Sequence, residues 1–113
     1  MGVILISKRF MKIVTAGFAT GITLWPFIIL KDKDAAENKV LLNHEKIHLR
    51  QQIEMLVLPF YIWYLTEYLV RLIKYRNRYQ AYRNISFERE AYNYEKHAEY
   101  LTQRKFWSFL KHI

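Results

Sequence analysis

The sequence predicts a single domain that is mainly α-helical, with a short β element near its N-terminus. Its length of 113 residues suits one domain. One uncharged stretch is rich in β-branched and aromatic residues, and three later stretches carry helical signals. The predicted elements of this domain, 1–113, are an edge strand at 19–30, a helix at 35–58, an apolar to amphipathic helix at 60–76 and a helix at 87–103.

The β element is the stretch from Ala19 to Leu30. Its β-branched and aromatic side chains favour an extended chain. Because Pro26 cannot donate a backbone hydrogen bond, it restricts this stretch to the edge of a sheet or to an irregular point.

The first long helix is predicted to follow a short charged loop. Asp34 and Glu37 have the spacing of a helix start close to a capping box, and an apolar lead-in follows at 40–42. Pro59 ends or kinks the helix. The residues in the middle of this helix, where helical geometry is firmest, carry the most informative motif of the chain.

That motif is H-E-K-I-H at 44–48. Four residues advance a helix by about 6 Å and about 400°, so His44 and His48 lie on one face, one turn apart. Both imidazoles can then reach one metal ion at about 2.0–2.1 Å, and Glu45 lies near the open position of that ion, where it can take a proton from a bound water. The alternative is a helix in which the two histidines simply pack or hydrogen-bond.

A hydrolytic zinc site needs a third protein ligand from elsewhere in the chain. The other histidines are His97 and His112, and several acidic residues also compete. The best candidate region is 86–92, where Ser86 is a plausible N-cap and early carboxylates suit the helix dipole. One face of that helix would carry Glu88, Ala91, Tyr92 and Glu95, with Glu90 on another side.

H-E-x-x-H followed some forty residues later by E-x-x-A resembles the gluzincin metallopeptidases, especially the group of CAAX prenyl proteases and heat-shock membrane proteases. The resemblance covers about 21–95. It implies a minimal zincin-like α+β domain in which His44, His48 and Glu88 bind zinc and Glu45 is the catalytic base. The family usually has an aspartate, which supports the site, where this chain has Tyr92.

The chain is even more similar to small bacterial proteins of unknown role that share H-E-x-x-H-x-x-Q-Q, here His44 to Gln52. In gluzincins a strand ahead of the metal-binding helix pairs with the substrate backbone. The stretch 19–30 either has that role or merely covers the helix layer.

Composition limits the partners. The chain has no cysteine, so a zinc site must use histidine and carboxylate. A net charge of +8 and 17% aromatic residues suit an anionic membrane surface or nucleic acid. No nucleic-acid motif is present, so nucleic acid is not expected as a partner. A peptide or protein substrate, a membrane surface and a homo-oligomer remain as partners, with a cytoplasmic, membrane-associated location favoured over a cytoplasmic one.

Two uncharged segments raise the question of a membrane. As a helix, Ile13 to Leu30 would be just long enough to cross, but its glycines, proline and threonines favour the strand. Met55 to Thr66 begins a helix that becomes amphipathic towards Tyr75. That helix is either the core of a small soluble domain or dips into a bilayer. The tail from Arg104 to Ile113 either anchors at a surface or closes the core.

Several further side chains are weaker candidates for the site. Gln51 and Tyr92 are candidates for a supporting or oxyanion-stabilising role, and Tyr79, Tyr82 and His97 have the chemistry to stabilise an oxyanion. The sequence does not choose among them.

The first hypothesis is therefore a zinc-dependent metallopeptidase that hydrolyses peptide bonds with a zinc-bound water. The alternative is a non-catalytic, zinc-stabilised and membrane-associated interaction module. A di-iron bundle site would need a second E-x-x-H, which the sequence lacks.

Overall fold

The computed structural model describes residues 2–15 and 19–113. Three strands form one sheet: β1 (Val3–Ile6), β2 (Gly21–Leu24) and β3 (Phe27–Leu30). The helices, in chain order, are α1 (Lys8–Thr15), α2 (Lys33–Glu37), α3 (Lys39–Glu54), α4 (Leu58–Tyr75), α5 (Arg78–Arg83), α6 (Ser86–Tyr94), α7 (Tyr100–Gln103) and a final 3-10 helix (Ser108–His112). Helices hold 65% of the described residues, which confirms a mainly α fold with a short β element.

The sheet has the order β1-β3-β2, with β1 parallel and β2 antiparallel to β3. The sequence predicts one strand at 19–30, whereas the structure has a hairpin whose turn is Trp25-Pro26. Leu24 pairs with Phe27 directly across that turn. Proline is thus accommodated where the chain reverses, and the uncharged stretch 13–30 is not one continuous helix. Residues 16–18 of that stretch lie outside the described part of the chain.

The long helix predicted at 35–58 is two helices. The side chain of Asp32 accepts a hydrogen bond from Ala35 N and caps α2, in place of the predicted start at Asp34. Asn38 adopts an extended backbone, and its side chain accepts from the amides of Val40 and Leu41 to start α3. An asparagine that satisfies two free amides stabilises a new helix start, which explains the break.

The later boundaries also differ from the prediction. Helix α3 ends at Glu54, and Pro59 lies in the first turn of α4, where a proline costs nothing. The helix predicted at 87–103 is divided into α6 and α7. Ser86 is the first residue of α6, and Ile85 is at the cap position without a side-chain cap. The backbone amide of Ser86 donates to Glu67 of α4 at 3.0 Å. A carboxylate from another helix thus occupies the positive end of α6.

Two apolar clusters flank α3. One contains Met55, Phe60, Ile85, Phe87 and Phe109, so the C-terminal tail closes the core through Phe109. The other contains Ile28, Leu30, Ala35 and Leu49, between the sheet and the helices. Helix α3 lies between the clusters and carries the candidate site on the face that meets β2 and α6.

Within the described ranges, no single helix combines the length and apolar character needed to span a bilayer. Helices α3 and α4 pass that test only as a pair, with a bend of 115° between them.

Candidate metal centre

Helices α3 and α6 bring three potential metal ligands together. His44 and His48 lie one turn apart on α3, and Glu88 lies in the first turn of α6. The Nε2 atoms of the two histidines are 3.1 Å apart, and Glu88 Oε1 is 3.1 Å from that of His44 and 3.0 Å from that of His48. All three residues are at most 5% exposed. They form a buried group that could hold a metal ion.

The spacing of the three donors suits a small divalent cation. Tetrahedral ligands at about 2.0–2.1 Å from zinc lie roughly 3.3 Å from one another, so the separations between the three donors would need to widen by only about 0.3 Å to admit the ion. Two imidazoles and one carboxylate suit zinc and also other divalent transition metals. The donor set therefore defines a class of metal site and leaves the identity of the metal open.

Hydrogen bonds fix the orientation of both imidazoles. His44 Nδ1 is 2.9 Å from Glu95 Oε1, and His48 Nδ1 is 2.8 Å from Gln51 Oε1. Gln51 Nε2 donates to the carbonyl of Phe87 and to Glu90, so its oxygen must face the histidine. Both Nδ1 atoms therefore donate, and each neutral imidazole turns its Nε2 lone pair towards Glu88. Three lone pairs that converge in this way need a proton or a cation between them.

Without a bound cation, a proton takes that place. Burial alone would lower the pKa of His48, but the charge of Glu88 and its hydrogen bond outweigh burial and raise the pKa to about 9. Burial likewise opposes ionisation of Glu88, yet the two histidines hold the pKa of its carboxyl well below its usual range. The site therefore stabilises positive charge beside an ionised carboxylate.

The second oxygen of Glu88 is held by a tyrosine. Tyr64 of α4 donates to Glu88 Oε2 at 2.7 Å, which leaves Oε1 directed at the histidines. Burial and the charge of Glu88 raise the pKa of Tyr64 well above its usual range, so its hydroxyl stays protonated and donates. No periodic signal in the sequence indicates this role, because Tyr64 is one of many aromatic residues on α4.

Tyr92, which stands where the resemblance expects an aspartate, packs against the site as a ring. Its centroid is 4.5 Å from that of His44, its hydroxyl is 2.8 Å from that of Tyr82, and the guanidinium of Arg83 lies 3.7 Å from its ring centroid. Glu95, one turn beyond the predicted aspartate position, accepts from His44 instead. Of the two candidates for a supporting role, Gln51 hydrogen-bonds a histidine of the site and Tyr92 contacts one through its ring.

Glu45 lies beside the three donors and is 4% exposed. The hydroxyl of Thr23 is 2.7 Å from Glu45 Oε1 and 3.0 Å from the backbone oxygen of Glu45, and it holds the carboxylate against β2. Gly21 permits this approach, since a Cβ there would meet Leu30 at 2.9 Å and Glu45 Cγ at 3.5 Å. Sequence reasoning missed both Gly21 and Thr23, whose alternation along the strand places them on the same side.

A cavity of about 660 Å³ opens onto these residues. His44, Glu45, His48 and Glu88 form its polar floor, and β2 and α4 supply most of its walls. The tyrosines that line it are Tyr61, Tyr64, Tyr68 and Tyr82. Tyr79 and His97, the other candidates for an oxyanion role, are exposed and lie outside this lining.

No family model, no curated protein and no solved structure matches this chain. The geometry alone therefore defines the class of site: a buried group of two histidines and a glutamate that could hold a metal ion, with a second glutamate, Glu45, beside it at the base of a cavity.

Proposed function

We propose that the protein is a zinc-dependent peptidase whose metal ligands are His44, His48 and Glu88. The observation that carries the proposal is the convergence of three lone-pair donors at the floor of a cavity that also contains the carboxylate of Glu45. Three protein ligands and one open position are typical of hydrolytic zinc sites, whereas structural zinc sites are closed by four.

Each residue of the site has a defined task in peptide hydrolysis. A bound zinc ion would supply Lewis acidity and lower the pKa of a coordinated water towards neutrality. Glu45 accepts a proton from the water that attacks the peptide carbonyl and delivers this proton to the leaving amine. Thr23 holds Glu45 in place, and Tyr64 keeps one oxygen of Glu88 away from the ligand position.

The position of β2 supports a peptide as the substrate. β2 is an outer strand of the sheet, and its residues Gly21, Ile22 and Thr23 line the cavity. Gln52 covers one end of this edge, because its side chain accepts from Trp25 N and donates to Thr23 O, both at 2.8 Å. An extended peptide that pairs with the remaining edge would pass Glu45 and the metal ligands.

The test combines metal content with turnover. The purified chain and its Glu45→Gln, His44→Ala and Glu88→Ala variants are analysed for zinc and assayed on a peptide library. We expect Glu45→Gln to retain zinc and lose hydrolysis, and the other two to lose both. Glu37→Gln, an exposed carboxylate on α2, is the matched control. Full turnover by Glu45→Gln with zinc bound would refute the proposal.

A second candidate is a zinc-stabilised module without catalysis. It is favoured by the way the donors join α3 to α6, which would make bound metal a cross-link between two helices of a small core. This alternative predicts that a chelator lowers the melting temperature strongly while no peptide in the library is cleaved. Hydrolysis that depends on Glu45 excludes it.

A further inference from the structure

Helix α4 presents an apolar face that is left uncovered by the described part of the chain. Six large aliphatic side chains on it are exposed by 50% to 78%. Apart from Val70, which directly follows Leu69, they recur every three or four residues and so follow one side of the helix for about 22 Å. These residues, which we name the α4 stripe, are Leu58, Ile62, Leu65, Leu69, Val70 and Ile73.

The stripe cannot turn inward, because the opposite side of α4 is fixed. Phe60 is 2% exposed and packs on Phe87, with a ring-centroid distance of 4.4 Å. Glu67 accepts from Trp63 Nε1 at 2.9 Å and from the amide of Ser86 at 3.0 Å. These contacts hold the stripe towards the outside, and contiguous exposed apolar surface of this kind marks an interaction site.

The charges around α4 identify the partner. Glu67 is the one acidic residue in the sequence of α4, and its carboxylate is turned inward. Exposed cations, Lys74, Arg76 and Arg78, lie at the C-terminal end of the helix and just beyond it. An apolar face beside cations complements an anionic lipid surface. With a net charge of +8 on each chain, two copies would repel each other.

We propose that the α4 stripe docks on the surface of an anionic lipid bilayer, with the helix lying in the plane of the interface. Aliphatic side chains would enter the boundary between headgroups and acyl chains, while the basic end contacts lipid phosphates. This attachment is peripheral, in keeping with the finding that no single described helix has the length and apolar character to span a bilayer.

Docking in this way brings the rim of the cavity to the lipid surface. Leu65 belongs to the stripe and also lines the cavity, and the exposed Arg78 lines it as well. The rim is therefore continuous with the docking face. If the proposed peptidase function holds, the substrate is a polypeptide segment that lies at the membrane surface, and this last step rests on that function.

The experiment measures co-flotation of the full chain with vesicles of phosphatidylcholine and with vesicles that also contain phosphatidylglycerol. We expect binding to the anionic vesicles, weaker binding to the neutral ones, and loss of binding at high salt. The double variant Ile62→Ser, Ile73→Ser removes two stripe residues outside the cavity lining. It should lower the partition coefficient by roughly a hundredfold or more.

Phe106→Ser is the matched control, since Phe106 is 72% exposed on the C-terminal tail and not on α4. It should bind vesicles as the parent does. A second pair, Leu69→Ser with Val70→Ser, replaces the first pair if thermal unfolding shows that the first has not folded. The proposal is overturned if a folded stripe variant binds like the parent, or if Phe106→Ser removes binding equally.

Two further measurements distinguish lipid docking from dimerisation and from the proposed peptidase function. Light scattering after gel filtration detects a dimer. If the parent chain dimerises through the stripe and does not bind vesicles, the lipid-docking proposal is overturned. Glu45→Gln should bind vesicles like the parent, because it leaves α4 unchanged. Vesicle binding by the parent chain, if the parent hydrolyses no peptide, would refute the peptidase and support the docking surface.

Discussion

Glu95 Oε1 lies 2.9 Å from His44 Nδ1, seven residues beyond Glu88 in the chain. The nine-residue helix α6 and its C-cap residue thus supply both a potential metal ligand and the carboxylate that orients a second ligand on α3. A carboxylate in this position fixes the tautomer and the orientation of the imidazole. The distance between α3 and α6 therefore affects both the position of Glu88 relative to the histidines and the orientation of His44.

The first prediction concerns this contact. Glu95→Ala should weaken zinc affinity by about tenfold to a hundredfold, because His44 loses the acceptor that orients it. Glu95→Gln should lose less, since its amide oxygen still accepts. Affinity is measured by competition with a chromophoric chelator. The control is Glu99→Gln, an exposed carboxylate beyond the end of α6. Equal affinity in Glu95→Ala and the parent would show that the contact does not support the site.

The second prediction is a rise of zinc affinity with pH. The pKa of His48 is about 9, so at neutral pH its imidazole carries a proton that zinc must displace. Zinc affinity should therefore increase about tenfold per pH unit from neutrality and level off near pH 9. Calorimetry in buffers of different ionisation enthalpy should detect about one proton released per zinc at pH 7. No proton release would contradict the assignment.

The metal-free chain should show the opposite trend, which serves as the control. The folded pKa of His48 lies above its ordinary value of 6.5, so the stability it contributes is full below that value and is lost as pH rises towards 9. Glu88 has a lowered pKa, so its contribution is present above 4.5 and is lost as pH falls further. With a chelator present, the contribution of this pair to the melting temperature should therefore be largest between pH 4.5 and pH 6.5.

Local helical geometry accounts for only two of the three predicted donors. His44 and His48 are one helical turn apart, whereas Glu88 lies forty residues further on and was selected by its place at a helix start and by the resemblance. The roles of Tyr64, Thr23 and Glu95 in the site depend on how separate elements pack. Packing of this kind leaves no periodic signal in a single sequence. The break at Asn38 likewise came from a side chain whose capping competes with helix continuation.

The third prediction concerns a buried ionic network behind the site. Arg104 donates to Glu90 and to Glu54, both at 2.5 Å, and Glu90 in turn accepts from Gln51. Arg104→Ala would leave two carboxylates buried without a cation and should lower the free energy of unfolding by about 3–5 kcal/mol. Urea unfolding measures this change. Arg76→Ala, at an exposed position, should be nearly neutral.

The network also predicts an effect on the metal centre. Burial opposes ionisation of Glu90, but Arg104, Tyr100 and Gln51 together hold the pKa of its carboxyl below its usual value. The ionised Glu90 accepts from Gln51, whose oxygen faces His48. If the Arg104→Ala variant still folds, its affinity for zinc should fall together with its free energy of unfolding. An unchanged unfolding free energy would show that the network contributes little.

The last prediction separates catalysis from metal binding. Gly21→Ala would place a Cβ 2.9 Å from Leu30 and 3.5 Å from Glu45 Cγ, so the strand or the carboxylate must move. The heavy atoms nearest to that Cβ belong to Leu30 and Glu45, and not to any of the three metal ligands. The variant should therefore keep zinc but lose about tenfold to a hundredfold in kcat, since a displaced base no longer meets the reacting atoms. Thr23→Val, which removes the hydroxyl that holds Glu45, should act in the same direction. Loss of zinc in both variants, with turnover per bound zinc unchanged, would instead mean that β2 supports the metal ligands and not the base.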